Sequence, residues 1–530
     1  MTALRIRKSI EELQNAYQNG DKKPLETVIR AWKGIQELPP DDPNSFFVIG
    51  GYHGEPFRGA GWGNSSYWGG YCNHGNVLFP TWHRAYLLRL ENALRSIPGC
   101  EDFTLPFWDE TSPNSINNGV PWSLTVETFE LDGKTIPNPL ASFTFSKAIV
   151  DHIGGDDPNY SKPKGYTTVR YPLSGLVGSQ EEIAKTKAHN ARFPNHYVNV
   201  GMLNSNIINW LSSYIEVGPP GKKTRIPTNV AQQFADCLNA PNYTVFSNTS
   251  SAGEWNDNLA VGAAPVVPLE QPHNDIHLAV GGYDVSSGPN AGDFSAAAGA
   301  NGDMGENDTA ALDPIFYFHH CNVDRMFWIW QKKHGATDAL EIIAGYPGTN
   351  SVDNQGPTPG VTPNTWLGVE SPLDPFKKAD GTPYATVDVV NIERQLGYTY
   401  GPGSFDGAAH TSAVLAMAAA PVRRIHVSGI NRGAIRGSFV ISAFGAIDGE
   451  VRNLGSEGVL SRWHVEGCAN CQTHLQARAA IPIRGLSDAD IQAANISVEV
   501  MTRDGPLTAR QPMALAASIK ARAPFRFEIR

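Results

Sequence analysis

Cysteine is scarce. Six residues in 530 are too few to staple a disulfide scaffold. Long apolar runs are missing as well. The longest, around Ala413 to Val422, is short and broken by Pro421, so nothing in the sequence reads as a membrane span. The opening MTALRIRKSIEEL has no apolar core of signal-peptide length. The expectation is a cytoplasmic protein, or one otherwise lacking a recognisable signal peptide. Positive charge is in deficit: 42 basic against 52 acidic residues, a net −10. That argues against general binding to nucleic acid or to an anionic membrane, since both attract basic surface. No internal repeat is visible. What remains is an ordinary globular mixture, 41% hydrophobic and 18% charged, with ample material for a core.

Periodicity divides the chain. Ile10, Leu13, Ala16 and Tyr17, then Leu25, Val28, Ile29 and Trp32, recur at helical spacing. Residues 41–76 read as irregular loop and 111–200 show little regular pattern. Helices are predicted from Phe79 to Ile97, from Glu270 to Val280, and from Asp313-Pro314 to about His334, the last with Asp as cap and Pro at its first position. After Gly401 the composition turns small and Ala-rich, and beyond it the pattern becomes period two: Ile425/Val427, Phe439/Ile441/Ala443, Ile496/Val498/Val500 and Phe525/Phe527/Ile529. The predicted fold is a mainly α domain over residues 1–400, a linker over 401–420 and an all-β sandwich over 421–530. Charge divides the same way. Residues 421–530 carry 14 basic and nine acidic groups, a net +5, which leaves −15 on the rest. Complementary charge predicts an intramolecular contact between the two parts.

Histidine is placed unevenly. His53, His74 and His83 fall near the first predicted site helix, and His273, His277 and His320 fall in the second half. His273 and His277 are four apart, so a helix sets both imidazoles on one face with Cβ atoms about 6 Å apart. Pairs at this spacing also occur on solvated faces. The zinc-protease pattern needs Glu directly after the first histidine, and Asn274 stands there. Phe316, His320 and Asp324 share a helix face. With no clear carboxylate or thiolate ligand nearby, an all-imidazole site suits copper, zinc, iron or nickel, and a helical bundle is a usual holder.

The motifs HGEPF at His53, CNHGNVLFPTWHRAYLLRLE at Cys72–Glu91, LPFWDE at Leu105, HNDIH at His273 and DPIFYFHHCNVDRMFWIW at Asp313 resemble the type-3 copper proteins: tyrosinases, catechol oxidases and hemocyanins. The resemblance covers roughly residues 45–335. It implies two copper ions per chain, one on His53, His74 and His83 and one on His273, His277 and His320, with His319 beside them. Cys72-Asn73-His74 matches the Cys-x-His in which sulfur and imidazole are joined as a thioether. Such a joint would fix the ring's orientation, as outer-shell groups do at other metal sites.

The resemblance also implies the chemistry. Small phenols would be oxidised by dioxygen: monophenols hydroxylated at the ortho carbon, o-diphenols taken to o-quinones. A phenol's pKa near 10 means its proton needs a taker. Glu270 and Asn274 match the positions that hold a proton-accepting water in tyrosinases, and Phe316 would sit over the coppers and orient the substrate. A catechol or o-aminophenol oxidase without the hydroxylation step, and a hemocyanin-like oxygen carrier, are the competing readings. Asp324 and Arg325 are expected as an ion pair, and Asp109 as a neighbour of the ligands. Tyr398-Thr399-Tyr400 resembles the motif that closes the catalytic domain, against which Arg5 or Arg7 packs. The C-terminal part resembles the lid of latent members. Its Cys468-x-x-Cys471 alone fits zinc, redox or copper roles. Soft thiolates select Cu(I), so copper delivery is the expectation, with His464 and His474 as helpers. Cys100, Cys237 and Cys321 suggest no role. The assembly state, a homo-oligomer included, is left open.

Overall fold

In this computed structural model the described residues are 4–57, 70–151, 160–176, 178–218, 221–283, 299–350, 361–362, 365–406, 422–463, 465, 475–503, 505–510 and 525–530. Most of the 401–420 stretch, together with Cys468, Cys471, His464 and His474, lies outside them.

A short strand β1 (Arg5–Arg7) leads into α1 (Ile10–Gln18), whose N-cap Ser9 accepts the Glu12 amide at 3.0 Å. α2 (Lys23–Glu37) buries Leu25, Val28, Ile29 and Trp32 on one stripe, as the 3.6-residue spacing requires. Then come a short α3 (Phe46–Gly51) within the expected loop, α4 (Phe79–Arg95), α5 (Thr249–Asp257), α6 (Glu270–Gly281) and α7 (Ile315–His334). Helices at Gln180–Asn190 and His196–Ser212 occupy part of the region read as aperiodic. The first is mostly polar, and the second spreads its apolar residues around the helix with exposed Tyr197 and Val198 among them, so neither shows a clean apolar stripe in sequence. α7 opens one residue later than predicted, and Asp313 still serves it, accepting the Ile315 amide at 3.1 Å while Arg170 holds the same carboxylate.

The helical part is closed by its own ends. β1 pairs in parallel with β2 (Tyr398–Tyr400). Arg7 lies 3.6 Å from the Tyr398 ring centroid, bonds Glu91 at 2.8 Å and donates to the Tyr400 hydroxyl. Both tyrosine hydroxyls donate to Asp324, and Arg84 donates to its other oxygen at 2.6 Å. The expected Asp324–Arg325 pair is therefore absent: Arg325 pairs with Asp406 at 2.7 Å. Adjacent helical residues do not face each other, so each found a partner on a different element.

Beyond residue 421 the chain is β. β3 (Arg423–Asn431), β6 (Gln476–Ile483) and β9 (Arg526–Ile529) form one sheet in the order β6-β3-β9; β4 (Phe439–Ile447), β5 (Glu450–Val459), β7 (Ser497–Thr502) and β8 (Gly505–Arg510) form the other in the order β5-β4-β7-β8. Ile425, Val427, Phe439, Ile441, Ile481, Val498 and Val500 meet between them as a sandwich core. β4 is buried on both faces, because its outer face is covered by the helical part: Val440 and Leu460 join the main core. In return, Ile215 and Ile226 of the helical part pack into the sandwich core. Among the described residues no helix is long and apolar enough to cross a membrane.

Candidate dinuclear metal centre

The six histidines of the two clusters come together. His53 follows α3, His74 lies in the loop before α4, and His83 sits in the first turns of α4. His273 and His277 project from one face of α6, and His320 from α7. All but His74 are almost wholly buried. His83 stacks on His320 with ring centroids 4.5 Å apart, His74 lies 5.6 Å from His273, and His53 lies 5.2 Å from His74. The two triads therefore adjoin.

Hydrogen bonds set the tautomers. Nδ1 of His83 donates to the Phe79 carbonyl at 2.8 Å, Nδ1 of His277 to Met304 at 2.8 Å, and Nδ1 of His53 to Asn307 at 3.2 Å. Nδ1 of His273 donates to Oδ1 of Asn274 at 3.0 Å. A neutral ring that donates through Nδ1 keeps its lone pair on Nε2. Nε2 of His53, Nε2 of His83 and both nitrogens of His74 are buried without a protein partner among the described residues. Nε2 of His320 lies 3.1 Å from Nε2 of both His273 and His277. Lone pairs converging at that distance call for a cation between them. Protonation is a poor substitute. Burial lowers His83 to about 3 and His277 to about 4, and burial with mutual repulsion holds the other four well below the ordinary value. The donor set fits a pair of imidazole-bound metal ions.

His319 points elsewhere. Its Nδ1 lies 2.7 Å from Oε1 of Glu110, whose other oxygen accepts from Asn322. Burial pushes the carboxyl up and the imidazole down, so both groups are drawn toward their neutral forms across this contact. The expectation for Asp109 thus moves one residue along its motif: Asp109 caps the Ser404 amide at 2.7 Å, and Glu110 supports the centre. Phe316 is fully buried, stacked on His320 with centroids 3.8 Å apart and edge-on to His53. It packs against the ligand rings from inside the core instead of lying over the centre.

A chamber of about 440 Å³ adjoins the centre, with His74, Glu270 and Asn274 on the helical side and Arg432, Leu460 and Arg478 on the sandwich side. Glu270 accepts the Gly75 amide, the Thr249 amide and the Thr249 hydroxyl at 2.8–3.0 Å. Burial raises its pKa. Cys72 is buried, and its Sγ lies within 4.8 Å of ligand atoms of His74 and His53. Arg462, from the sandwich, donates to this sulfur at 3.1 Å and to Asp308 at 2.8 Å. Sequence reasoning passed over Arg432 and Arg462, because no local pattern marks a residue brought some 400 positions back to the site. Cys100, Cys237 and Cys321 are buried free thiols.

The family described as "Common central domain of tyrosinase" matches residues 43–333. Tyrosinase HcTyr2 of Hahella sp. is 54% identical over 91% of this chain and 89% of its own length. A tyrosinase of Aspergillus oryzae is 45% identical over 94% of this chain and 93% of its own. Among solved structures, a tyrosinase from Burkholderia thailandensis at low pH matches with a TM-score of 0.82 at 50% identity, covering 94% of this chain and 96% of that one.

Proposed function

The chain belongs to the tyrosinase family, and from that premise we propose how its own residues divide the work. The activity is copper-dependent oxidation of phenols, and the family implies a dicopper site. We assign one copper to His53, His74 and His83 and the other to His273, His277 and His320. The observation that carries this is the set of Nε2 atoms facing a common space while the Nδ1 atoms of four rings are taken by fixed acceptors. Bound copper supplies the redox chemistry with dioxygen as co-substrate.

The protein positions the phenol and receives its proton. Oε1 of Glu270 accepts only the Gly75 amide and so keeps acceptor capacity, and Asn274 lines the same chamber. Together they orient a water that takes the phenol's proton, so monophenols are hydroxylated as well as diphenols oxidised. Phe316 fixes the plane of His320. Cys72 joins His74 as a thioether. The chain divides near residue 400, and the sandwich that follows roofs the site as a lid, restraining access until it shifts. Support for a charge-assisted roof is the set of pairs Arg478–Asp257, Arg484–Asp236, Arg503–Glu182 and Arg462–Asp308, each joining a sandwich cation to a helical-part carboxylate. Copper delivery by Cys468 and Cys471 is retained as part of this reading.

The test is oxygen uptake by copper-loaded enzyme with a monophenol and with a catechol. Glu270→Gln is expected to lower monophenol turnover by about a hundredfold or more and to leave catechol turnover within severalfold. Equal losses on both substrates would remove Glu270 from the proton step. Reversible dioxygen binding with no quinone formed would identify a carrier.

A further inference from the structure

The chamber has a cation in its roof that nothing above employs. Arg432 lies in a short 3-10 turn of the sandwich, is 6% exposed, and lines the chamber opposite His74, Glu270 and Asn274. Its Nη2 donates to the Leu460 carbonyl at 2.9 Å. That is the one hydrogen bond of its side chain among the described residues. Among the described residues Nε is buried without a partner and no carboxylate lies within ion-pair distance. The other cation of the lining, Arg478, is already paired with Asp257 at 2.7 Å and Glu254 at 3.4 Å. Glu270 is an opposite charge that acts on Arg432 through space, but its oxygens accept from Gly75 and Thr249. Burial lowers the guanidinium to about 10, so it is still charged at neutral pH. A buried guanidinium with free donors facing a cavity is a built receptor for an anion.

We propose that Arg432 makes the roof part of the substrate site and selects phenols that bear a carboxylate on a short side chain. The inference rests on the phenol-oxidising reading and deepens it. The ring lies toward His74 and Asn274, where the oxidation occurs, and the carboxylate reaches up to Arg432. A chamber of about 440 Å³ suits one aromatic ring with a short chain. The sandwich then both limits access and recognises what enters.

The experiment compares kcat/KM of the full-length copper-loaded enzyme for three phenols of like size: 3-(4-hydroxyphenyl)propionate, 4-ethylphenol and tyramine. The native enzyme is expected to favour the anion over the neutral phenol by about tenfold, and to disfavour the cation. Arg432→Gln should bring the three within about threefold of one another, chiefly through KM, with 4-ethylphenol little changed. Arg432→Lys should keep part of the preference, which separates charge from packing. As a readout independent of turnover, 3-phenylpropionate should protect the native protein against thermal unfolding and lose about tenfold in affinity in Arg432→Gln. An active enzyme whose substrate order is unmoved by Arg432→Gln overturns this inference alone. An enzyme that oxidises none of the three overturns the phenol-oxidising reading and this inference with it.

Discussion

Arg462→Met tests how the sandwich is anchored to the centre. In the native protein the guanidinium donates to Asp308 at 2.8 Å, to the His53 carbonyl at 3.4 Å and to Cys72 at 3.1 Å, with both members of the Arg462–Asp308 pair almost fully buried. Asp308 also accepts the Trp463 amide at 3.0 Å. Among the described residues one N–H is then all that compensates the carboxylate once the arginine is gone. Breaking a buried pair from one side costs about 3–5 kcal/mol, because a charge is left buried and alone. Methionine keeps most of the side-chain volume, so little of that cost is packing. Removing both charges, as in Arg462→Met with Asp308→Asn, leaves no such orphan. The double variant should recover at least ~2 kcal/mol relative to the sum of the single costs. Urea unfolding followed by tryptophan fluorescence, on the three variants and the native protein, measures this. A single-variant cost below ~1 kcal/mol, or a double variant that equals the sum, would refute the anchoring argument.

Other consequences are open to direct measurement. If Cys72 and His74 are joined, the peptide holding both should be lighter by the two hydrogens lost, and Cys72→Ser should restore the full mass; a native peptide at full mass in active enzyme rules the joint out. In copper-free protein, His83 and His277 titrate at about 3 and about 4 when folded, below their ordinary value. The unfolded chain therefore binds protons first as the pH falls, so stability is intact above about pH 6.5 and declines below it, levelling off only below the folded values. Between pH 6.5 and 5 these two rings together should cost about 3 kcal/mol; a flat melting temperature over that range would contradict their burial as neutral imidazoles. Deleting residues 422–530 should raise turnover on a small phenol if the sandwich restrains access, and unchanged turnover would reject the lid. Any gain must be judged against the exposure of Ile215 and Ile226, whose apolar cover is removed with it.

Much of this arrangement is legible along the chain because the chemistry is local. His273 and His277 are four apart on one helix, and α4 and α7 announce themselves by their apolar stripes. The period-two strands were visible for the same reason. Long-range partners were not. Asp324 and Arg325 invite pairing by adjacency, yet helical geometry sends Asp324 to Arg84 and Tyr398 and Arg325 to Asp406. Asp109 and Glu110 are equally acidic neighbours in one motif, and only three-dimensional packing decides that Glu110 meets His319. The helices between Gln180 and Ser212 lack a strong stripe, the first because few of its residues are apolar and the second because its apolar residues fall on exposed as well as buried faces. Arg424 shows the same limit. It lies in a strand of alternating pattern, but its fully buried guanidinium gathers the carbonyls of Asn256, Leu259, Ala260 and Ala263. Nothing near it in sequence predicts a cation there.

The central claim is that two triads of neutral imidazoles each hold a copper ion. The ratio of copper to protein in the reconstituted and desalted full-length chain tests it most directly. Two coppers per chain are expected, falling to about one when His277→Ala and His320→Ala remove the second triad's convergence. A native ratio of one or none, or a ratio of two that survives the loss of both histidines, would contradict the assignment.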